Sequence, residues 1–272
     1  MWSALLIFRT LKNKLGLNPG SYFESWITKE LKLNGVHTLR DLKALRKILP
    51  IDLRNVQTNT AIDTIEAKLA IITSDITTHT KVEFPKMTEL YWSNPDDVAP
   101  AKMVRASMSV PFFFEPFKVD DLPNTGSEND SNWDKYARYS GPVPSSVRFV
   151  DGGMLSNFPI NIFHRSDGGI PRMPTFGVRL STYRENFSDT DTFLGMNGAM
   201  ISTMRQIHDY DFLIKNPDYK QLICRIDADK TFNWLDFNMT EESQINLFNL
   251  GAKKAVEFLN KFDWEAYKAS RA

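Results

Sequence analysis

One acidic residue stands where a strand-like run meets a pair of glycines. Residues 147–159 read VRFVDGGMLSNFP, so Asp151 follows the run and Gly152 and Gly153 come directly after it. Open α/β sheets bind ligands at the carboxyl ends of their strands, and glycines remove side chains from around a carboxylate. A carboxylate in that place can orient or deprotonate a nucleophile. The same letters are also typical of a plain Asp-Gly turn, and this stretch alone leaves both interpretations open.

The elements that would position Asp151 alternate between helices and strands. Apolar spacing predicts helices over Ser21–Leu33, from Thr38 onward, over 96–108 and from Thr240 to Phe262. Strands are predicted at 68–73, 80–84, 146–150, 173–180 and 221–226. This alternation indicates the α/β class, with residues 1–272 forming a single domain.

Three further segments carry structural expectations. Residues 1–17 predict an amphipathic helix that ends at Gly16, with no strand before it, and such a helix either covers a core or lies on a membrane surface. Residues 118–145 are polar and predict a loop insertion, either a plain surface loop or a lid. In the last helix the apolar residues at helical spacing predict a buried stripe: Ile245, Phe248, Ala252, Val256 and Leu259.

A second motif-bearing stretch changes the interpretation of Asp151. Residues 99–117 read APAKMVRASMSVPFFFEPF, a helix with an Ala-Ser pair followed by a proline and a Phe-x-Pro turn. Together with Asp151-Gly152-Gly153 and Asn157-Phe158-Pro159, this order resembles the patatin-like phospholipase family. Residues 70–77 are similar to the strand and Asp-Leu-Thr segment that precede the Ala-Ser helix in that family. The resemblance extends over about residues 14–262.

The resemblance implies a fold, an activity and a site. The implied fold is a three-layer α/β arrangement around a central, mostly parallel sheet. The implied activity is hydrolysis of phospholipid or neutral-lipid esters by a Ser–Asp dyad without a cofactor, and Asp151 matches the dyad aspartate. The implied partner is therefore a lipid or phospholipid ester, with peripheral membrane contact as a further expectation.

One family feature is missing from the sequence. Patatin-like enzymes carry their serine on a Gly-x-Ser-x-Gly elbow, with a glycine-rich turn upstream as the oxyanion hole. Neither motif occurs in this chain. We therefore expect the C-terminal two-thirds of such an enzyme, without the first strands of its sheet and inactive alone. A non-catalytic lipid- or protein-binding remnant and one half of a split enzyme are the alternatives.

The remaining serines do not replace the missing one. Ser107 and Ser109 lie in or beside a helix, where no strained elbow presents a hydroxyl, and they are interpreted as small residues that permit close packing. Ser156 is interpreted as a turn residue. Loss of an activated serine costs a serine hydrolase on the order of a millionfold in turnover, so Asp151 alone should support negligible hydrolysis.

Composition excludes several other classes of function. Lys+Arg and Asp+Glu both number 33, so no net charge attracts nucleic acid. The four histidines lack metal-site spacing, and no metal is predicted. Cys224 is interpreted as a small buried hydrophobe. No apolar run approaches the ~20 residues that span a bilayer, and the opening residues lack a signal-peptide pattern.

Overall fold

The computed structural model of the chain describes most of residues 9–271. The described residues are 9–50, 52–55, 58–62, 67–123, 127–156, 158–163, 167, 169–171, 173–181, 190–192, 195–196, 198–200, 203, 214, 216–227 and 238–271. Their backbone divides into two compact units, Met1–Ser156 and Asn157–Ala272. The single-domain interpretation of residues 1–272 stays a prediction.

The first unit contains six strands in two sheets. The strands are β1 (Gly16–Asn18), β2 (Ile71–Asp75), β3 (Thr80–Phe84), β4 (Phe112–Phe114), β5 (Phe117–Asp120) and β6 (Ser146–Asp151). One sheet has the order β3-β2-β6-β5, and the other pairs β1 with β4. In the larger sheet β2 lies beside β6, with Thr73 opposite Asp151 and Asp75 opposite Phe149.

The α/β class predicted from the sequence is confirmed. The strands pair in more mixed directions than in the mostly parallel sheet that was expected. All three pairings in the four-stranded sheet are antiparallel, while β1–β4 is a parallel pair. A short turn explains part of this difference. Only residues 76–79 connect β2 to β3, and so short a link permits a hairpin but no parallel crossover.

After β1, the described part of the first unit contains the helices α1 (Ser21–Leu33), α2 (Leu39–Leu45), α3 (Pro100–Ser107) and α4 (Ser127–Ala137). The predicted bounds of α1 are confirmed. Thr38 begins α2 with a capping box, because its hydroxyl accepts from Asp41 N while the Asp41 carboxylate accepts from Thr38 N. The predicted helix over 96–108 is split into a 3-10 turn at Pro95–Asp97 and α3, because Pro100 disfavours helical backbone at Ala99.

Aromatic side chains fill the core of this unit. Tyr91 is fully buried and packs edge-on against Phe149 and Trp133, with ring centroids 4.8 and 5.4 Å apart. Phe84 of β3 packs edge-on against the ring of Phe149 at 5.8 Å. Edge-to-face pairs of this kind stabilise a core beyond their buried area, so β3 and β6 are held on one apolar layer.

Residues 118–145 are not the loop that their composition predicts. They include the end of β5 and the whole of α4. Trp133 of α4 is only 1% exposed and belongs to the main core. A large apolar side chain therefore anchors the insertion in the core. The many Asp, Asn and Ser residues around Trp133 gave the segment a polar composition, so the sequence predicted a loop.

The opening of the chain also differs from the prediction. Residues 9–14 are helical, but Gly16 begins β1, and the sequence analysis predicted no strand there. The pairing is nonlocal, since Gly16 lies opposite Phe112 and Asn18 opposite Phe114. Residues 1–8, which carry most of the predicted amphipathic face, lie outside the described part of the chain.

The described part of the second unit includes a parallel pair of strands and two C-terminal helices. The strands are β7 (Gly177–Ser181) and β8 (Ile223–Asp227), and the helices are α5 (Glu241–Lys261) and α6 (Trp264–Ala269). Tyr267 of α6 is fully buried in a small cluster with Leu222 and Ile223. Thr240 caps α5 as predicted, because its hydroxyl accepts from Ser243 N at 3.2 Å.

The predicted buried stripe on α5 is wrong. Ile245, Phe248, Val256 and Leu259 are all more than half exposed, and Ala252 is exposed as well. The helix packs through a different face instead: a Cβ on Gly251 would contact Ile226 of β8, and Phe258 packs edge-on against Phe176. Because α5 carries apolar residues on two faces, periodicity alone could not decide which one packs.

Within the described residues, no helix combines the length and apolarity that crossing a membrane requires.

Candidate active site

The main chain of Asp151 is fixed from two sides. Asp151 N donates to the carbonyl oxygen of Ser109 at 2.9 Å, just beyond α3. The hydroxyl of Ser74 donates to the carbonyl oxygen of Asp151 at 3.0 Å, and Thr73 donates to the preceding carbonyl of Val150 at 2.9 Å. Strand β2 and the end of α3 therefore set the position at which β6 delivers its last residue.

The carboxylate of Asp151 turns back onto the glycine pair. Its Oδ1 accepts a hydrogen bond from Gly153 N at 2.6 Å, and Asp151 thereby caps the 3-10 turn Gly152–Met154. Both glycines are buried, whereas Asp151 is partly exposed. The carboxylate is thus oriented by the backbone and still reaches the surface, as an acid–base group must.

Gly152 passes too close to β2 for any side chain. A Cβ at this position would lie 2.5 Å from the carbonyl carbon of Ile72 and would overlap the carbonyl oxygen. The same oxygen accepts a hydrogen bond from the Ser107 hydroxyl at 2.7 Å. The end of α3, strand β2 and the Asp151 turn therefore meet at one carbonyl group.

Arg105 stabilises this arrangement from within the core, and the sequence analysis did not identify it as a site residue. Its side chain is 3% exposed and donates to the Ser109 hydroxyl and to the carbonyl oxygens of Pro19 and Glu115. Burial lowers the pKa of the guanidinium, and the negative charges of Glu24 and Glu115 oppose that shift. An arginine on the buried face of α3 was the available signal, since an unpaired cation there would be costly.

Asp75 is a second buried carboxylate beside the site. Its oxygens accept hydrogen bonds from Thr77 N, Thr78 N and the Thr78 hydroxyl at 2.8–3.2 Å, and from the Tyr91 hydroxyl at 3.3 Å. Burial raises the pKa of Asp75, and its hydrogen bonds to Thr78, Thr77 and Tyr91 act in the opposite direction. With these donors Asp75 fixes the turn after β2 and the Tyr91 ring.

The hydroxyls nearest to Asp151 have structural partners. Ser107 donates to Ile72 O, Ser109 donates to Arg105 O, and Ser74 donates to Asp151 O. These contacts support the interpretation of Ser107 and Ser109 as packing residues. Ser156 is buried in the turn after the glycines, where its N–H donates to Gly152 O, while Asn157 lies outside the described residues.

The other residues considered for chemistry do not form a centre. Cys224 is buried in β8 as a free thiol, which confirms its interpretation as a small hydrophobe, and burial raises its pKa. Among the residues that the structure describes, no group of three or more His, Cys, Asp or Glu side chains is arranged to hold a metal ion. His164 and His208 lie outside those residues.

Two surface clefts lie on other parts of the first unit. The larger one is lined by residues of α2 and of segments 85–89 and 93–97, where Arg40 pairs with Asp97 and Lys43 pairs with Asp96. The smaller one is a groove along α1. Neither of these two clefts includes a residue of the Asp151 turn, so neither is a substrate pocket beside the carboxylate.

The chain combines an α/β framework with an Asp-Gly-Gly turn beside an Ala-Ser helix. Comparison with known proteins identifies the class of proteins that shares these features. The model of the family described as patatin-like phospholipase matches residues 1–164, which include the α3 segment and the Asp151 turn. The chain belongs to the patatin-like phospholipase family. A relative from Bacillus subtilis (strain 168), described as uncharacterized protein YqhO, is 27% identical over 253 residues, covering 92% of this chain and 70% of the relative.

Family membership supports a lipid acyl hydrolase kind of function and is compatible with a lipid ester substrate.

Proposed function

We propose that this protein is a lipid acyl hydrolase in which Asp151 is the acidic member of a Ser–Asp dyad. The fixed placement of Asp151 carries the proposal: Ser109 and Ser74 hold its main chain, and Gly153 N orients its carboxylate. A carboxylate held in this way can accept the proton of a serine hydroxyl that attacks an ester carbonyl. Gly152 and Gly153 add no side chains of their own beside the carboxylate, which favours the approach of that hydroxyl.

The dyad serine is not among the serines of this chain, according to the proposal. The sequence has no Gly-x-Ser-x-Gly, and the hydroxyls of Ser74, Ser107 and Ser109 already donate to backbone carbonyls. A nucleophile needs a base as its hydrogen-bond acceptor and oxyanion donors beside the reacting carbonyl. We therefore expect this polypeptide alone to hydrolyse esters no faster than a protein without an active site.

A serine-directed fluorophosphonate probe tests the missing nucleophile. The full chain should remain unlabelled and should not hydrolyse a soluble p-nitrophenyl ester, while a known serine hydrolase in the same tube is labelled. Mass spectrometry after digestion would locate any adduct. Stoichiometric labelling of a serine in this chain would contradict the missing-nucleophile hypothesis.

The role of Asp151 is tested in a protein that also carries a Gly-x-Ser-x-Gly elbow. The coding DNA upstream of Met1 supplies that segment if an open frame encodes it, and another patatin-like protein supplies it otherwise. Asp151→Asn should lower kcat about 10⁴-fold, the cost of the same change in a serine-protease triad, and leave the fold intact. The matched control is Asp120→Asn, because Asp120 is exposed and only pairs with Lys118 on the surface. Full activity of Asp151→Asn would remove Asp151 from the mechanism.

A non-catalytic lipid-binding role is the second candidate, and the missing elbow favours it. The same measurements separate the two. An elbow-bearing protein that folds and still fails to hydrolyse esters supports the non-catalytic role, whereas hydrolysis that depends on Asp151 supports the enzyme.

A further inference from the structure

Helix α1 presents large apolar side chains to solvent. Tyr22 is 86% exposed, Trp26 47% and Leu33 71%, and none of the residues in the helix is buried. At 100° per residue, positions 22, 26 and 33 lie within about 40° of each other around the helix axis, so they form one stripe. The outward side of a surface helix is normally polar. An exposed apolar stripe of this kind therefore indicates an interaction surface for a protein or a membrane.

The rest of α1 already has its own partners. Glu24 lies on the opposite side of the helix, where its charge acts on buried Arg105. The Thr28 hydroxyl donates to Glu24 O at 2.6 Å. The stripe formed by Tyr22, Trp26 and Leu33 is therefore not needed to hold α1 on the first unit.

Positive charge accompanies the stripe. Lys29 lies between Trp26 and Leu33 along the same face, and Lys32 flanks the stripe on one side; both are exposed. Glu30 flanks the stripe on the other side and offsets one of these two positive charges, which leaves a net charge of +1. Beside them runs the groove along α1, which is lined by Ser25, Thr28, Lys29, Lys32 and Leu33. Two ammonium groups and the Ser25 hydroxyl along an apolar edge suit the phosphate of a lipid head-group, with the acyl region against the stripe.

The position of Lys29 distinguishes a lipid surface from a protein partner. Lysine is depleted in protein–protein interfaces, because its desolvation is costly and its charge is seldom matched there. At a bilayer surface the lysine stem lies along apolar material while the ammonium reaches the head-groups, and Trp and Tyr prefer the same depth. A stripe that places Lys29 among Trp26, Tyr22 and Leu33 therefore matches the interfacial pattern.

We propose that the exposed face of α1, comprising Tyr22, Trp26, Lys29, Lys32 and Leu33, docks this protein on an anionic phospholipid surface. The inference goes beyond the proposed function, because docking needs neither a nucleophile nor Asp151. The apolar stripe on α5 gives an internal comparison, since the acidic residues Glu241 and Glu242 precede it by a single turn. Anionic lipid would repel that end of the stripe.

Vesicle co-sedimentation of the full chain tests the proposal. The probes are phosphatidylcholine vesicles with and without phosphatidylserine. The wild type should bind the anionic vesicles far more strongly, and Trp26→Ser/Leu33→Ser should weaken that binding at least about tenfold. Lys29→Gln/Lys32→Gln should lower the partition coefficient about 30-fold on anionic vesicles and change it little on zwitterionic ones. The matched control, Ile245→Ser/Phe248→Ser on α5, should bind as the wild type does.

Three results would overturn the proposal. They are no binding to anionic vesicles by the wild type, binding that both α1 variants retain, and binding that only the α5 variant loses. Self-association that the α1 variants abolish, with no vesicle binding, would assign the stripe to a second copy of the chain instead. All substituted residues are exposed, and circular dichroism verifies that the variants fold. Hydrolysis of a soluble ester is measured separately, so failure of docking and failure of the proposed function give different outcomes.

Discussion

Gly152→Ala should lower the free energy of unfolding of the first unit by several times more than Gly35→Ala does. The new Cβ would lie 2.5 Å from the carbonyl carbon of Ile72, whereas carbon atoms in favourable contact are about 3.5–4.0 Å apart. Strand β2 and the Asp151 turn would have to separate by about 1 Å. Both sides of this contact are backbone, so no side chain can rotate away to relieve it.

Such a separation would break specific hydrogen bonds. Ser107 loses its acceptor geometry on Ile72 O, and Ser74 loses its acceptor on Asp151 O. Each bond contributes about 1 kcal/mol, and overpacking itself costs about 1–3 kcal/mol. The expected loss in the free energy of unfolding is therefore about 3–5 kcal/mol, a large share of the total stability of a domain.

Urea unfolding followed by tryptophan fluorescence measures the loss, with trimethylamine N-oxide present if the variant is too unstable without it. Gly35→Ala is the matched control, because no atom lies within 4 Å of its Cβ position and only its φ of +74° opposes alanine. Left-handed backbone costs alanine about 1–2 kcal/mol. Equal losses in the two variants would refute the steric argument and leave strand packing at Gly152 unexplained.

Substitutions at three further residues test the contacts that support the site and its core. Arg105→Met should lower the free energy of unfolding by about 3–5 kcal/mol, because it removes the hydrogen-bond donor to the carbonyl oxygens of Pro19 and Glu115. Arg105→Lys should recover only part of that loss. Asp75→Asn should make the free energy of unfolding depend less on pH. Because the pKa of Asp75 is raised in the native state, the free energy of unfolding of the wild type falls as pH rises from the ordinary carboxyl pKa to the raised one. Trp133→Ala should cost about 3–5 kcal/mol because the indole is 1% exposed. Urea unfolding, repeated across pH for Asp75, measures all three.

Exposed residues of the same types serve as controls. Arg40→Met breaks a surface ion pair with Asp97 and should cost at most about 1 kcal/mol. Trp26→Ala, at an indole that is 47% exposed, should be much milder than Trp133→Ala. If Trp133→Ala were as mild as Trp26→Ala, α4 would not be anchored in the core. An Asp75→Asn profile parallel to that of the wild type would mean that Asp75 does not titrate differently in the native state.

Local signals in the sequence were sufficient where an element is decided locally. The spacing of Phe23, Trp26, Ile27 and Leu31 predicted α1 with its observed bounds, but Trp26, which was predicted to face inward, is 47% exposed. The bounds of β3 were also predicted as observed. Thr240 predicted the start of α5, because capping depends on residues within one turn. Asp151 was placed correctly at the end of β6, because the apolar run and the glycine pair lie next to each other in the chain.

Features that depend on distant partners could not be predicted in the same way. Strands β1 and β4 have three residues each and exist only because Gly16 and Phe112 lie side by side. Arg105 is buried against the carbonyl groups of Pro19, 86 residues away, and of Glu115, which lies 10 residues away beyond β4. The face of α5 that packs is set by β8, so five apolar residues at helical spacing still gave the wrong face.

Gly152 and Asp151 differ in whether their presence indicates a catalytic role. Gly152 is required by the packing of β2 whether or not the protein is an enzyme, so its presence does not indicate catalysis. Asp151→Asn keeps an amide oxygen that can accept from Gly153 N, and we expect it to change the free energy of unfolding by only about 1 kcal/mol. If urea unfolding shows that small change, the carboxylate is dispensable for the fold, and its presence argues for a chemical role. A loss as large as that of Gly152→Ala would show that the carboxylate is structural, and the case for a dyad would then lose its main support.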